Sequence, residues 1–92
     1  MPDKKIDLTI RSTNGTPWET SDFSTTQRVD HVREKAIQHF VDLQIMTAGD
    51  YALALVHGSN AEPLVDSNTL EESGVSEGAV LVLLVRGPQV DG

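Results

Sequence analysis

The sequence predicts an α+β domain in which a mixed sheet of four or five strands carries one helix packed on one face. Three observations lead there. Residues 5–11 alternate polar and apolar and run toward an Asn-Gly pair. Residues 29–40 repeat their apolar side chains at helical spacing. Residues 79–85 form a near-continuous apolar run, long enough for a strand but far short of the ~20 residues that span a bilayer.

The first strand is expected over Lys5 to Arg11. Ile6, Leu8 and Ile10 fall on one face, and Asp7, Thr9 and Arg11 on the other. Period two with β-branched residues is the pattern of a half-buried strand. Asn14-Gly15 follows, a hairpin signal because both residue types tolerate φ > 0. A second strand then runs from about Thr16 to Phe23, anchored by Trp18, which belongs at the rim of a core poor in aromatics.

The helix comes next. Val29, Val32, Ala36, Ile37 and Phe40 form its apolar face, and Asp30, Arg33, Glu34, Lys35 and Gln38 fill the outer one. Thr25 or Thr26 is the expected N-cap, and the end is expected between Val41 and Leu43. Gly49-Asp50 breaks the chain before a third strand at Tyr51 to Val56. His57 to Pro63 reads as a polar turn region, Leu64-Val65 as a brief fourth strand, and Thr69-Leu70-Glu71-Glu72 as the start of a helical turn. Val75-Ser76-Glu77-Gly78 turns into the last strand, Ala79 to Arg86, whose apolar run suits a central position buried at least partly on both faces. Residues 88–92 show no periodicity, and their Gly and Pro content predicts a mobile tail after a domain spanning 1–87.

Helix and sheet must bury their apolar faces against each other. The first and last strands are the most apolar, so they belong side by side in the centre, parallel, with the helix in the crossover between them. That order is a β-grasp.

Composition narrows function. Ninety-two residues close one modest core and leave no room for a deep cleft with a second lobe, so an enzyme is not expected. A net charge of −7 argues against nucleic acid, whose binders carry a basic footprint, and favours solubility and basic partners. Without cysteine there are no disulfides, thiolate metal sites or thiol nucleophiles. His31 and His39 lie eight apart on the helix, whereas a zinc helix needs histidines at i and i+4, so neither metal nor cofactor is expected. No Gly-x-Ser-x-Gly elbow or phosphate-cradling glycine cluster occurs. With no membrane span and no apolar N-terminal leader, the expected location is the cytoplasm.

The run from Leu64-Val65-Asp66-Ser67-Asn68-Thr69-Leu70 through Gly74-Val75 to Ala79–Gly87 resembles ubiquitin and its relatives. It is similar to their short strand, acidic turn, Thr-Leu pair, buried aliphatic six residues on, and final apolar strand ending in arginine. Val29, Val32 and Ala36 match the family's helix, and the likeness covers about residues 5 to 87, with an apparent insertion at Ser59 to Pro63. It implies the ubiquitin-like β-grasp fold and, for function, a protein modifier with a bacterial relative's own machinery. In that scheme the chain is a substrate. Its terminal carboxylate is activated with ATP as an acyl adenylate by an E1-like activating enzyme, passed through an enzyme thiol to an E2-like conjugating enzyme, and joined to an amine of a target protein. Gly92 would be the acyl donor, and Arg86 the contact read by the activating enzyme. Glycine leaves the backbone unobstructed in a narrow channel, although Asp91 stands where most of the family has a second glycine. The family's exposed patch maps to Ala54, Val82 and Leu84, the expected partner-binding surface, and Lys4, Lys5 and Lys35 are the lysines available for chain linkage. The same fold also serves non-covalent adaptors, such as accessory proteins of bacterial secretion systems, and thiocarboxylate sulfur carriers.

Overall fold

The computed structural model describes residues 5–86. The tail at 88–92, Gly92 and Lys4 lie outside the described residues. Five strands and one helix follow in the order β1 (Lys5–Arg11), β2 (Pro17–Ser24), α1 (Val29–Asp42), β3 (Tyr51–His57), β4 (Asn60–Pro63) and β5 (Ala79–Val85). The sheet order is β2-β1-β5-β3-β4. β1 and β5 are central and parallel, with Ile10 beside Leu81, and every other pairing is antiparallel.

The inward parity of each strand makes the core. Ile6, Leu8 and Ile10 of β1, Leu53 and Leu55 of β3, and Leu81 and Leu83 of β5 meet Val29, Val32, Ala36 and Phe40 of α1. Leu70 and Val75 close one end from the connecting segment. Trp18 is half-buried, as a rim residue should be. Its indole stacks on His39 at 4.0 Å and meets Phe40 edge-on at 6.3 Å. Tyr51 is buried too, and its hydroxyl donates to the Thr47 carbonyl, so the phenol carries no unpaired polar atom inside.

Three local expectations are refined or changed. The first is the hairpin at Asn14-Gly15, which forms, but with only one of the two residues at positive φ. Ser12 N–H donates to Thr16 O (2.9 Å) and Gly15 N–H to Ser12 O (3.0 Å), so Thr13, Asn14 and Gly15 form a three-residue loop. Only Gly15 takes a positive φ, 91°, the left-handed position that such loops reserve for glycine.

The second is the helix start. Neither Thr25 nor Thr26 caps it; Arg28 occupies the N-cap and makes no side-chain cap bond. The orphan donors are met from a distant segment, with Val29 N–H donating to Asn68 O (2.8 Å) and Asp30 N–H to Asp66 O (3.2 Å). Four initial N–H groups need acceptors, and backbone carbonyls serve as well as a threonine hydroxyl.

The third is β4, which is Asn60–Pro63 and not Leu64-Val65. The apparent insertion is a hairpin: His57 pairs with Asn60 across Gly58-Ser59, and Gly58 holds φ 58°. All four β4 residues are exposed, so the strand has no apolar alternation to betray it. Leu64 keeps one bond to the sheet, its N–H donating to Leu53 O (2.9 Å).

The helical turn near Thr69 forms as expected. Thr69 N–H donates to Glu72 Oε1 (2.9 Å) and Glu72 N–H to Thr69 Oγ1 (3.1 Å), a reciprocal capping box. The C-terminus of α1 is less comfortable. Gln44 sits at φ 62°, a left-handed conformation that disfavours a Cβ. Gln44→Gly relieves that strain, worth ~1–2 kcal/mol, against the ~0.5–1 kcal/mol of extra chain entropy that glycine loses. The expected result is a net gain of about 0.5–1 kcal/mol, read as a higher melting temperature. A lower melting temperature would show that the Gln44 side chain contributes more than its backbone costs.

Candidate functional site

Two regions of the described residues carry the expected site positions: the sheet face opposite the helix, and the end of β5. On the open face, strand alternation and register place Ala52, Ala54 and Val56 of β3 against Val80, Val82 and Leu84 of β5, with Ala54 beside Val82 and Ala52 beside Leu84. No element covers this stripe among the described residues. Val80 and Val82 are half-buried and Leu84 is 36% exposed, so β5 is fully buried only toward the helix.

Ala54 differs from expectation. It has the outward parity, yet its exposure is 0%, and it is not part of the helix-side core. The reason is size. Its methyl lies between Pro63 on β4 and Val82 on β5, its Cα partners on either side. Ala54 is therefore the floor of the patch and contributes no contact area, while Val82 and Leu84 form its surface. Arg11, the Cα partner of Val82 on β1, places a cation at the border. Val56 and Val80 extend the stripe, and the same parity count that selected Val82 and Leu84 reaches both.

Arg86 follows the last residue of β5. Its N–H donates to Asp50 O (3.0 Å), one step beyond the Tyr51–Val85 pair that closes the ladder. Its guanidinium does not stand alone. Nη1 lies 3.7 Å from Asp50 Oδ1 and 3.7 Å from Asp66 Oδ2. Asp66 also faces Arg33 of α1, with Nε 3.3 Å from Oδ1 and Nη2 3.4 Å from Oδ2, while Arg33 Nη1 donates to Tyr51 O at 3.5 Å. Two cations and two carboxylates thus balance around the strand end. Sequence reasoning missed Arg33, Asp50 and Asp66, which lie far apart in the chain and share no spacing.

The remaining surface offers little for chemistry. One shallow groove of about 370 Å³ runs beside β1 and β2 along Asp7, Thr9, Glu19 and Ser21. Another, about 420 Å³, lies between α1 and the segment before β3, along Arg33, Ile37, Val41 and Ala48. In the first, the Ser21 hydroxyl donates to Asp7 Oδ1 (2.5 Å), an exposed pair with no histidine or oxyanion donor among the groove's lining residues; the lining of the second includes no hydroxyl or thiol. Among the described residues, no three histidines or carboxylates gather where they could hold a metal ion, and no helix is long and apolar enough to cross a membrane.

With this geometry in view, solved structures give a consistent likeness. A de novo design based on ubiquitin aligns with a TM-score of 0.72 at 19% identity, covering 96% of each chain. A ubiquitin-like protein from Trypanosoma brucei aligns at 0.68 and 20% identity over 91% of this chain and 98% of that one. The ubiquitin of Caldiarchaeum subterraneum aligns at 0.61 and 24% identity over 92% and 98%. No protein-family model matches the chain, and no curated protein matches its sequence. The chain has the ubiquitin-like β-grasp fold.

Proposed function

We propose that the protein is a ubiquitin-like modifier, activated at Gly92 by an E1-like enzyme and conjugated to an amine of a target protein. The supporting observation is the end of β5. The central strand carries the chain to the edge of the sheet at Arg86, which is exposed beside its two carboxylate partners, and six further residues lead to Gly92. In the proposed sequence a Gly92 carboxylate oxygen attacks the α-phosphorus of ATP and pyrophosphate leaves. An enzyme thiolate then takes the acyl group with loss of AMP. A target amine finally displaces the thiol, forming an amide. The protein supplies the carboxylate and the recognition surfaces, with Arg86 and the Val82–Leu84 face as contacts for the activating and conjugating enzymes. It is not itself a catalyst.

The test is ATP–pyrophosphate exchange by an E1-like activating enzyme from the same cell. Exchange is expected to depend on the full chain and to disappear when Gly92 is removed. Exchange that is indifferent to the deletion contradicts the proposal.

One observation favours a second reading, a non-covalent adaptor. The apolar stripe at Val82 and Leu84 would serve a partner without any use of the tail, and Asp91 puts a charge next to the carboxylate that the modifier reading activates. An adaptor keeps its partner after residues 88–92 are removed and loses it when Leu84 is made charged.

A further inference from the structure

The end of the last strand is held by charge. β1 pairs with β5 only from Ala79 to Val82, and β3 only as far as Val85. Past that point the Arg86 N–H bond to Asp50 O is the last backbone tie among the described residues. What the Arg86 guanidinium meets is the carboxylate pair, 3.7 Å from each, and the two carboxylates are unequal. Asp50 is 61% exposed and sits on the segment leading into β3, so its contact is freely solvated. Asp66 is 35% exposed and touches Arg33, whose side chain is only 14% exposed and belongs to the packed helix. The backbone carbonyl of Asp66 also accepts Asp30 N–H at the start of α1. Asp66 is therefore anchored at two points before it meets Arg86.

An exposed ion pair between two free side chains gains little, because both must lose rotamer freedom. Here one partner is already ordered, and the guanidinium of Arg86 has a fixed carboxylate 3.7 Å from one nitrogen, an ionic contact beyond hydrogen-bond distance. We infer that Asp66 is a positioning residue: by holding Arg33 of α1 and Arg86 of β5 together, it fixes the arginine at the strand end and the point from which residues 87–92 continue. Arg86 then offers a partner an oriented guanidinium whose charge is already balanced, and recognition at this corner depends on the direction of the fork more than on net positive charge. The functional consequence rests on the modifier reading; the positioning itself does not.

The test uses the full chain with Asp66→Asn, which removes the charge but keeps the side-chain size and the carbonyl that caps α1. Amide exchange at Arg86 is expected to quicken by about 1.5- to fivefold, the range of one lost, partly exposed ion pair. Amides of Val32 and Phe40 should exchange as before. Asp66→Glu should recover most of the protection. Raising salt toward 1 M on the unaltered protein should move Arg86 the same way, because the pair is partly exposed to screening; this arm needs no variant to fold. With an E1-like activating enzyme, Asp66→Asn is expected to raise KM for the modifier several-fold and leave kcat within about twofold, measured well below the variant's melting temperature so that loss of folded substrate does not enter KM. Unchanged exchange at Arg86 in Asp66→Asn and in high salt overturns the inference. If the unaltered chain supports no pyrophosphate exchange, the modifier reading fails, and the Arg86 amide still decides the positioning role.

Discussion

Phe40→Ala is expected to cost about 3–5 kcal/mol, the usual loss for an aromatic ring removed from a packed core. Phe40 is a large side chain with 0% exposure. It sits in the last full turn of α1, meets Trp18 at 6.3 Å and His39 at 5.3 Å edge-on, and packs within the same cluster as the inward leucines of β3 and β5. Its carbonyl also accepts Ile45 N–H (2.9 Å) and Met46 N–H (3.3 Å), so the residue marks where the helix hands over to the next segment. A domain of this size has ~5–15 kcal/mol of stability in all, so this loss is a large share of it. Each lost kcal/mol lowers the melting temperature by ~4–8 °C in a 60–100-residue domain, so a fall of at least ~12 °C is expected in a thermal melt. Leu43, three residues on, is the control: it is 57% exposed, and Leu43→Ala should change stability by no more than about 0.5 kcal/mol. Equal effects at the two positions would mean that the helix does not pack as described.

Leu84→Asp should do the opposite, leaving the fold and removing the partner. Leu84 faces away from the helix, its Cα partner is Ala52, and it is 36% exposed, so a carboxylate there keeps access to water in the free protein. In a complex the same carboxylate would be buried against an apolar surface without a counter-charge, which is costly. A hot-spot residue contributes about 2 kcal/mol or more, and here a buried unpaired charge is added, so affinity for the activating enzyme should fall by at least ~30-fold in a titration, with a melting temperature within a few degrees of the parent. Ala54→Ser tests the corrected role of Ala54. As the covered floor between Pro63 and Val82, it should respond in stability, through a buried hydroxyl, and not through a lost contact. Unaltered affinity in Leu84→Asp would move the binding surface elsewhere.

Much of this architecture is legible in the chain, for reasons that differ by element. β1 declares itself because it is half-buried, so each second residue must be apolar. α1 does so because one stripe faces the sheet. β5 is legible because it is central. β4 is hidden for the converse reason: Asn-Ala-Glu-Pro is exposed on both faces and exists only through its pairing with β3. The Gly58-Ser59 pair was the signal for it, a two-residue hairpin loop with glycine first. Leu64 was misleading because it does pack on the core while belonging to no strand. The helix cap is beyond local reading, since its acceptors are the carbonyls of Asp66 and Asn68, more than thirty residues on.

The candidate site divides in the same way. Parity along a strand predicts which side chains share a face, and Ala54, Val82 and Leu84 do share one. Parity does not predict cover, which depends on the bulk of side chains in adjacent strands, and so Ala54 is buried. The charge cluster at Arg86 has no sequence signature at all, because Arg33, Asp50 and Asp66 are brought to it by the helix, the loop before β3 and the turn after β4.

The central claim is that Gly92 is the acyl donor of a modifier. The direct measurement is the adduct formed when the full chain, Mg-ATP and an E1-like activating enzyme are mixed and analysed by intact mass and by gel with and without thiol reductant. A reductant-sensitive adduct of enzyme plus chain, formed only with ATP and lost on deletion of Gly92, is the predicted result. An adduct that forms equally without Gly92, or no ATP-dependent adduct with an enzyme that charges its other modifiers, contradicts it.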